Sequence, residues 1–156
     1  MEYYIDGHNL IPKVGLRLND ENDEEKLLER VQEYARITRR KCTVFFDRAP
    51  DPGTRRSRYG SLNVYYVTHR TTADEEIIAM VNNAGSRARE ITVVSSDQHI
   101  QRQIRYVGAQ FVTSEQFARE MQKAYQRDLE VNPERHNNDK LSESEVDEWM
   151  KIFGLE

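Results

Sequence analysis

The amino-acid sequence predicts a three-layer α/β fold built on a mainly parallel, five-stranded sheet. Five short apolar runs, rich in β-branched and aromatic residues, alternate with longer helix-patterned segments. Several of the runs are continuously apolar rather than alternating, which is the pattern of parallel strands covered on both faces. The runs are residues 3–5, 43–46, 63–67, 91–94 and 110–112. A strand–helix order of this kind is closed by right-handed crossovers.

The helices between the runs carry start signals. Asn22 stands three residues before Glu25, and Leu27, Leu28, Val31, Tyr34 and Ala35 follow as an apolar stripe. Thr72 and Glu75 form a capping-box pattern ahead of Ile77, Ile78 and Val81. Ser96 opens a third helix with Ile100, Ile104 and Val107, and Thr113 with Gln116 opens a fourth with Phe117, Met121 and Tyr125. One connection breaks the alternation. Residues 48–60 lack helical periodicity, contain Pro50, Pro52, Gly53 and several arginines, and read as a mobile basic loop.

Residues 1–130 read as one domain and residues 131–156 as a polar linker with a short amphipathic helix. That helix opens with Ser142 and Glu145, presents Val146, Trp149, Met150 and Phe153 on one face, and ends at Gly154. It either packs back on its own domain or docks a protein partner.

With 156 residues, 37% hydrophobic and 32% charged, the chain can bury about 70% of its unfolded surface and needs no disulfide or structural metal to fold. Its single cysteine, Cys42, lies in a strand and reads as an inert core thiol. No apolar run approaches the roughly 20 residues of a membrane span, and Met1-Glu2-Tyr3-Tyr4 lacks the basic start of a signal peptide, so a cytoplasmic location is expected.

The formal charge of −4 argues against nucleic acid as a partner, because polyanion binders usually carry net positive charge, yet the charge is unevenly spread. Between Arg36 and Arg70 stand nine Arg or Lys and two acids, Asp47 and Asp51, whereas residues 19–25 and the tail after Glu130 are acidic. A local polyanion site on an acidic protein fits this pattern.

Four acids fall at related places. Asp6 follows the first strand, Asp47 the second, and Asp97 follows the fourth after Ser95 and Ser96, while Asp74 lies in the helix turn after the third. Carboxyl ends of parallel strands converge on one edge of the sheet. Carboxylates gathered there repel one another unless some are protonated or a divalent cation neutralises them, and hard Mg²⁺ or Mn²⁺ suits oxygen ligands. Such an ion activates water and stabilises charge on a phosphate, so phosphodiester chemistry is indicated. Taken singly, each Asp is equally a turn or helix-cap residue.

Around these acids, Asn9 either orients a ligand or shapes a turn, and Gly7 lets the backbone leave the strand tightly. Arg48, Arg55, Arg56, Arg58 and Arg70, with Tyr59 interleaved, either track a nucleic-acid backbone or keep a loop solvated; Arg102 extends the same edge. The sequence shows no Cys/His metal spacing, no phosphate-cradling glycine loop and no Ser-His-Asp order.

The segments Tyr4-Ile5-Asp6-Gly7-His8-Asn9-Leu10-Ile11, Phe45-Phe46-Asp47, Thr72-Ala73-Asp74-Glu75 and Val93-Val94-Ser95-Ser96-Asp97 resemble, in order, the motifs of the YacP-like NYN family of PIN-like endoribonucleases. The stretch from Glu145 to Leu155 is similar to that family's tail. The resemblance implies a Rossmann-like PIN/NYN fold and Mg²⁺- or Mn²⁺-dependent cleavage of single-stranded RNA, with messenger RNA at the translation machinery as its setting. It implies Asp6, Asp74 and Asp97 as the principal metal ligands and catalytic residues, Asp47 as completing the cluster, and Asn9 as an auxiliary ligand. A non-catalytic RNA- or ribonucleoprotein-binding module is the alternative. Phosphoryl transfer to an Asp is disfavoured, because Thr113 and Ser114 stand after the last strand where a Lys is needed.

Overall fold

The computed structural model describes residues 1–49, 55–68 and 71–133. Its elements in chain order are β1 (Glu2–Asp6), α1 (Gly7–Leu10), a 3₁₀ turn (Ile11–Val14), α2 (Asp23–Thr38), β2 (Lys41–Ala49), β3 (Arg55–Tyr59), β4 (Leu62–Thr68) and α3 (Ala73–Asn83). A second 3₁₀ turn (Gly85–Glu90), β5 (Ile91–Val94), α4 (Gln98–Arg105), β6 (Gln110–Val112) and α5 (Ser114–Val131) complete it. The six strands lie in the order β3-β4-β2-β1-β5-β6, all parallel except β3.

All five expected strands are present, and the α/β reading holds with one correction. Residues 48–60 are not an unstructured loop throughout. β2 runs on to Ala49, and Arg55–Tyr59 pairs antiparallel with β4 as an added edge strand. The strand is hard to see in sequence because Arg-Arg-Ser-Arg has no apolar face to alternate. Exposure is tolerable on an edge, where charged side chains also discourage pairing with other chains. The arginine guanidinium groups lie over the rings of the neighbouring strand, Arg55 at 5.2 Å from the Tyr66 centroid and Arg56 at 5.9 Å from that of Tyr65. Gly60 turns the hairpin at φ +59°.

Two helix starts differ from the sequence reading. Asp97, rather than Ser96, is the N-cap of α4, its side chain accepting the N–H of His99. Asn22 caps α2 without a side-chain hydrogen bond; the Asp23 carboxylate instead accepts the N–H groups of Asn19 and Glu24. Thr72 does cap α3, and Thr113 with Gln116 forms a complete capping box on α5. The expected linker and Trp149 helix lie almost wholly outside the described residues, as does Arg70.

Strand periodicity divides the interior between two layers. Tyr3 and Ile5 of β1 join Cys42, Val44 and Phe46 of β2 in a core closed by α2 and α5. Tyr4 and Phe45 face the other way, into a core closed by α3 and α4. Cys42 is buried and burial pushes its thiol up to about 12, so it is an inert core group. From β1 the chain builds the sheet outward through β2 and β4, then returns to lay β5 on the other side of β1. The reversal makes β1/β5 the topological switch point, and Asp6 and Ser95 emerge at its carboxyl end. Among the described residues no helix is long and apolar enough to cross a membrane.

Candidate active site

The chain turns into α1 directly after Asp6, and this requires Gly7. A Cβ there would run into the ring of Phe46 and lie 3.0 Å from the carbonyl oxygen of Phe45. Close passage over the end of β2 brings Asp6 and Asp47 to neighbouring strand ends, with Asp6 in register beside Phe45.

Asp6 is the electrostatic centre of the site. Its carboxyl is pushed up to about 6, first by burial, then by the charge of Asp47 and, more weakly, that of Asp74; the backbone N–H of Asn9 and the His8 ring oppose the rise. Asp47 also accepts the backbone N–H of Ala73, fixing the first turn of α3, which carries Asp74. Three of the four predicted acids therefore act on one another.

Asp97 is held differently. It is exposed, and its Oδ1 accepts the N–H of His99 at 2.8 Å. Its link to Asp6 runs through Ser95, whose Oγ donates to Asp6 Oδ2 at 3.5 Å and accepts the Asp97 N–H at 3.1 Å. Asn9 Oδ1 accepts the N–H of Ser96 at 2.9 Å and the hydroxyl of buried Ser114. It ties the β1, β5 and β6 ends together, and that atom is committed to the frame.

Sequence reasoning missed Glu24 and Glu115, and left His8 open between proton carrier and structural residue. His8 Nε2 lies 2.6 Å from Glu24 Oε2. Burial works to lower the His8 pKa, but the Glu24 hydrogen bond and charge, with Asp47 and Asp6 behind them, raise it on balance. Ser95, which precedes Asp97 by two residues, is a fully buried bridge between Asp6 and the Asp97 backbone. Glu115, at the start of α5, accepts from Ser96 Oγ at 2.6 Å and pairs with Lys13 at 3.0 Å, contacts that hold its carboxyl down at about 2. Glu24 and Glu115 come from remote segments, so only the tertiary fold reveals their approach.

Among the described residues, no three His, Cys, Asp or Glu side chains form a ready-made metal cage. The donors nevertheless fit a hard divalent cation. They are carboxylate oxygens, the central one is buried against two like charges, and Mg²⁺ commonly uses one or two carboxylates while keeping several waters. Of the expected RNA-contacting residues, Arg55, Arg56, Arg58 and Tyr59 lie on edge strand β3 and Arg102 is exposed on α4, while Arg48 falls near the end of β2.

A mostly parallel six-stranded α/β sheet of this kind matches a PIN-like, Rossmann-type fold. The chain belongs to the YacP-like NYN domain family, whose model matches residues 3–154; this is a PIN-like ribonuclease family, and PIN-like nucleases generally use divalent metals. Two crystal structures of Rae1 (YacP) from Bacillus subtilis share the fold. One, of a point mutant, superimposes with a TM-score of 0.71 at 23% identity, covering 96% of this chain and 90% of that one. The other gives 0.67 at 21% identity, covering 99% and 92%. No curated protein sequence matches the chain.

Proposed function

We propose that this protein is a metal-dependent endoribonuclease that hydrolyses phosphodiester bonds of single-stranded RNA at the acidic edge of the sheet. The observation that carries the reading is the buried Asp6 carboxylate facing the charges of Asp47 and Asp74. Such an arrangement is unfavourable on its own and is relieved by a cation.

Asp6 and Asp74 would hold Mg²⁺ or Mn²⁺, with Asp97 as a further ligand and Asp47 orienting the cluster while capping α3. The ion, when bound, supplies an activated water and charge stabilisation at the phosphate. The chain's own residues do the rest. Burial at the β1/β5 junction strengthens the electrostatics around Asp6. Ser95 couples the positions of Asp6 and Asp97, and Asn9 fixes the loops that carry them. The arginines of β3 and Arg102 hold the RNA backbone, while Tyr59, which the sequence offers as a base-stacking ring, packs against the core. Messenger RNA at the translation machinery, a cytoplasmic setting and a separate 131–156 docking element belong to the same proposal.

The test is incubation of labelled single-stranded RNA with the purified protein in Mg²⁺, in Mn²⁺ and in EDTA, beside Asp6→Asn and Asp97→Asn variants. Metal-dependent cutting that Asp6→Asn abolishes is the expected result. Binding without turnover at any metal concentration would instead return the non-catalytic RNA-binding module.

A further inference from the structure

The end of the sheet opposite the acidic edge carries its own concentration of positive charge. Arg39, Lys41 and Arg87 line a cavity of about 300 Å³ together with Met1, Glu2, Glu90 and Ile91. Arg89, between the lining residues Arg87 and Glu90 in sequence, packs near Gly108, just past the end of α4, where Arg105 and Tyr106 are exposed. Tyr106 is 92% exposed, the highest value among the exposed large hydrophobic residues.

These cations are not consumed by the fold. Nearby Arg40 shows the contrast: it binds Glu120 and the hydroxyls of Tyr3 and Tyr34, pinning α5 to the sheet. Among the described residues Arg39, Arg87, Arg89 and Arg105 form no ion pair, and Lys41 only reaches Glu2 at 4.0 Å. The two acids lining the cavity, Glu2 and Glu90, offset part but not all of its three positive charges. On a chain of net charge −4, a cluster of uncommitted arginines with an exposed aromatic ring is the electrostatic footprint of a polyanion contact.

We propose that this end is a second RNA contact, which grips the phosphate backbone of a folded RNA while the acidic edge handles the strand to be cut. The inference rests on the ribonuclease reading for its choice of polyanion. Glu2 lines the cavity and Asp6 centres the acidic site on the same strand, so about 13 Å of β1 separates the two ends. Arg102 and Arg105, one turn apart on the exposed side of α4, continue the positive charge between them. A short oligonucleotide at the acidic edge need not reach the far end, whereas a longer folded RNA can.

The experiment compares wild type with Arg87→Glu/Arg105→Glu for binding a stem–loop RNA with a single-stranded tail, across a salt series in EDTA. Cleavage of a short unstructured oligonucleotide is measured in parallel with metal. The expected result is a loss of about tenfold or more in stem–loop affinity, with the salt slope lowered by about two, roughly 0.9 per lost duplex phosphate contact. Short-oligonucleotide cutting stays unchanged, and Arg87→Lys/Arg105→Lys restores binding. Should the reversal variant not fold, Arg87→Gln/Arg105→Gln gives the same reading with a smaller loss. Unchanged stem–loop affinity and slope in a folded variant overturn the inference, as does an equal loss for the short oligonucleotide. Failure of the ribonuclease reading has a different signature: wild type cuts nothing under any metal, yet stem–loop binding still depends on Arg87 and Arg105.

Discussion

The carboxylate of Asp47 accepts the backbone N–H of Ala73, so an acid at the end of β2 caps the helix that presents Asp74. A single side chain thereby both charges the site and holds a second charged residue in place. Asp47→Ala is expected to lose this capping contact, which adds to that of Thr72, at a cost of about 1 kcal/mol, together with activity. Asp47→Asn keeps an acceptor oxygen and should recover most of the stability but not the activity. Urea unfolding and RNA cleavage of both variants separate the two roles; equal stability of Ala and Asn variants would show that the cap contributes nothing.

Asp6 gives a prediction in which loss of function raises stability. Its folded pKa is raised from 3.8 to about 6, so the folded state favours the protonated form. The stabilising contribution of that proton is fully present below about pH 4 and is lost as pH rises through about 6. At pH 7.5 without metal, the buried anion costs as much as about 3 kcal/mol, from 1.36 kcal/mol per pKa unit. Asp6→Asn is therefore expected to melt higher than wild type in EDTA at pH 7.5 and to lose that advantage near pH 4. Saturating Mg²⁺ or Mn²⁺ should raise the wild-type melting temperature and leave the variant nearly unmoved. A variant no more stable than wild type at pH 7.5 would mean that burial and the neighbouring charges do not penalise the Asp6 anion as described.

Gly7 is a steric requirement for bringing the chain over β2. Gly7→Ala puts a methyl against the Phe46 ring and the Phe45 carbonyl, and the backbone has little room to yield. Overpacking of this kind costs about 1–3 kcal/mol. Because the displaced turn carries Asp6, activity should fall more than the loss of folded population explains, which cleavage assays well below the melting temperature will show. A companion Phe46→Leu change that restores both stability and cleavage would confirm the cause.

Much of this was readable from the chain because the two faces of a parallel sheet leave a strong imprint. Val44-Phe45-Phe46 had to be buried on both sides, and an Asp directly after it had to emerge at the carboxyl edge. Asp6 and Asp47 at strand ends, with Asp74 and Asp97 just past the next two, thus mark one edge of the sheet from sequence alone. β3 was invisible for the converse reason: Arg55, Arg56 and Arg58 are exposed on an edge, so burial writes no period into them. The distinct state of Asp97 was also hidden. Position alone puts it beside Asp6, but an N-cap turns its Oδ1 toward His99, a competition between local and tertiary partners that spacing cannot decide. The Glu24–His8 and Glu115–Ser96 pairs join segments with no sequence relation.

Asn9 is the remaining junction, and its amide oxygen separates a frame residue from a ligand. That oxygen accepts from Ser96 N–H and from the buried Ser114 hydroxyl, joining the ends of three strands. Asn9→Ala leaves both donors without their partner and should cost about 1–3 kcal/mol. Asn9→Asp preserves the acceptor and should restore much of that loss, despite adding a charge close to Asp6. The informative readout is metal affinity, measured by titrating Mn²⁺ against protein in the absence of RNA. As a frame residue, Asn9 predicts that the Ala variant binds Mn²⁺ more weakly in step with its lost stability. A ligand role predicts weaker metal binding with stability intact, and that pattern would place the Asn9 side chain on the ion rather than behind it.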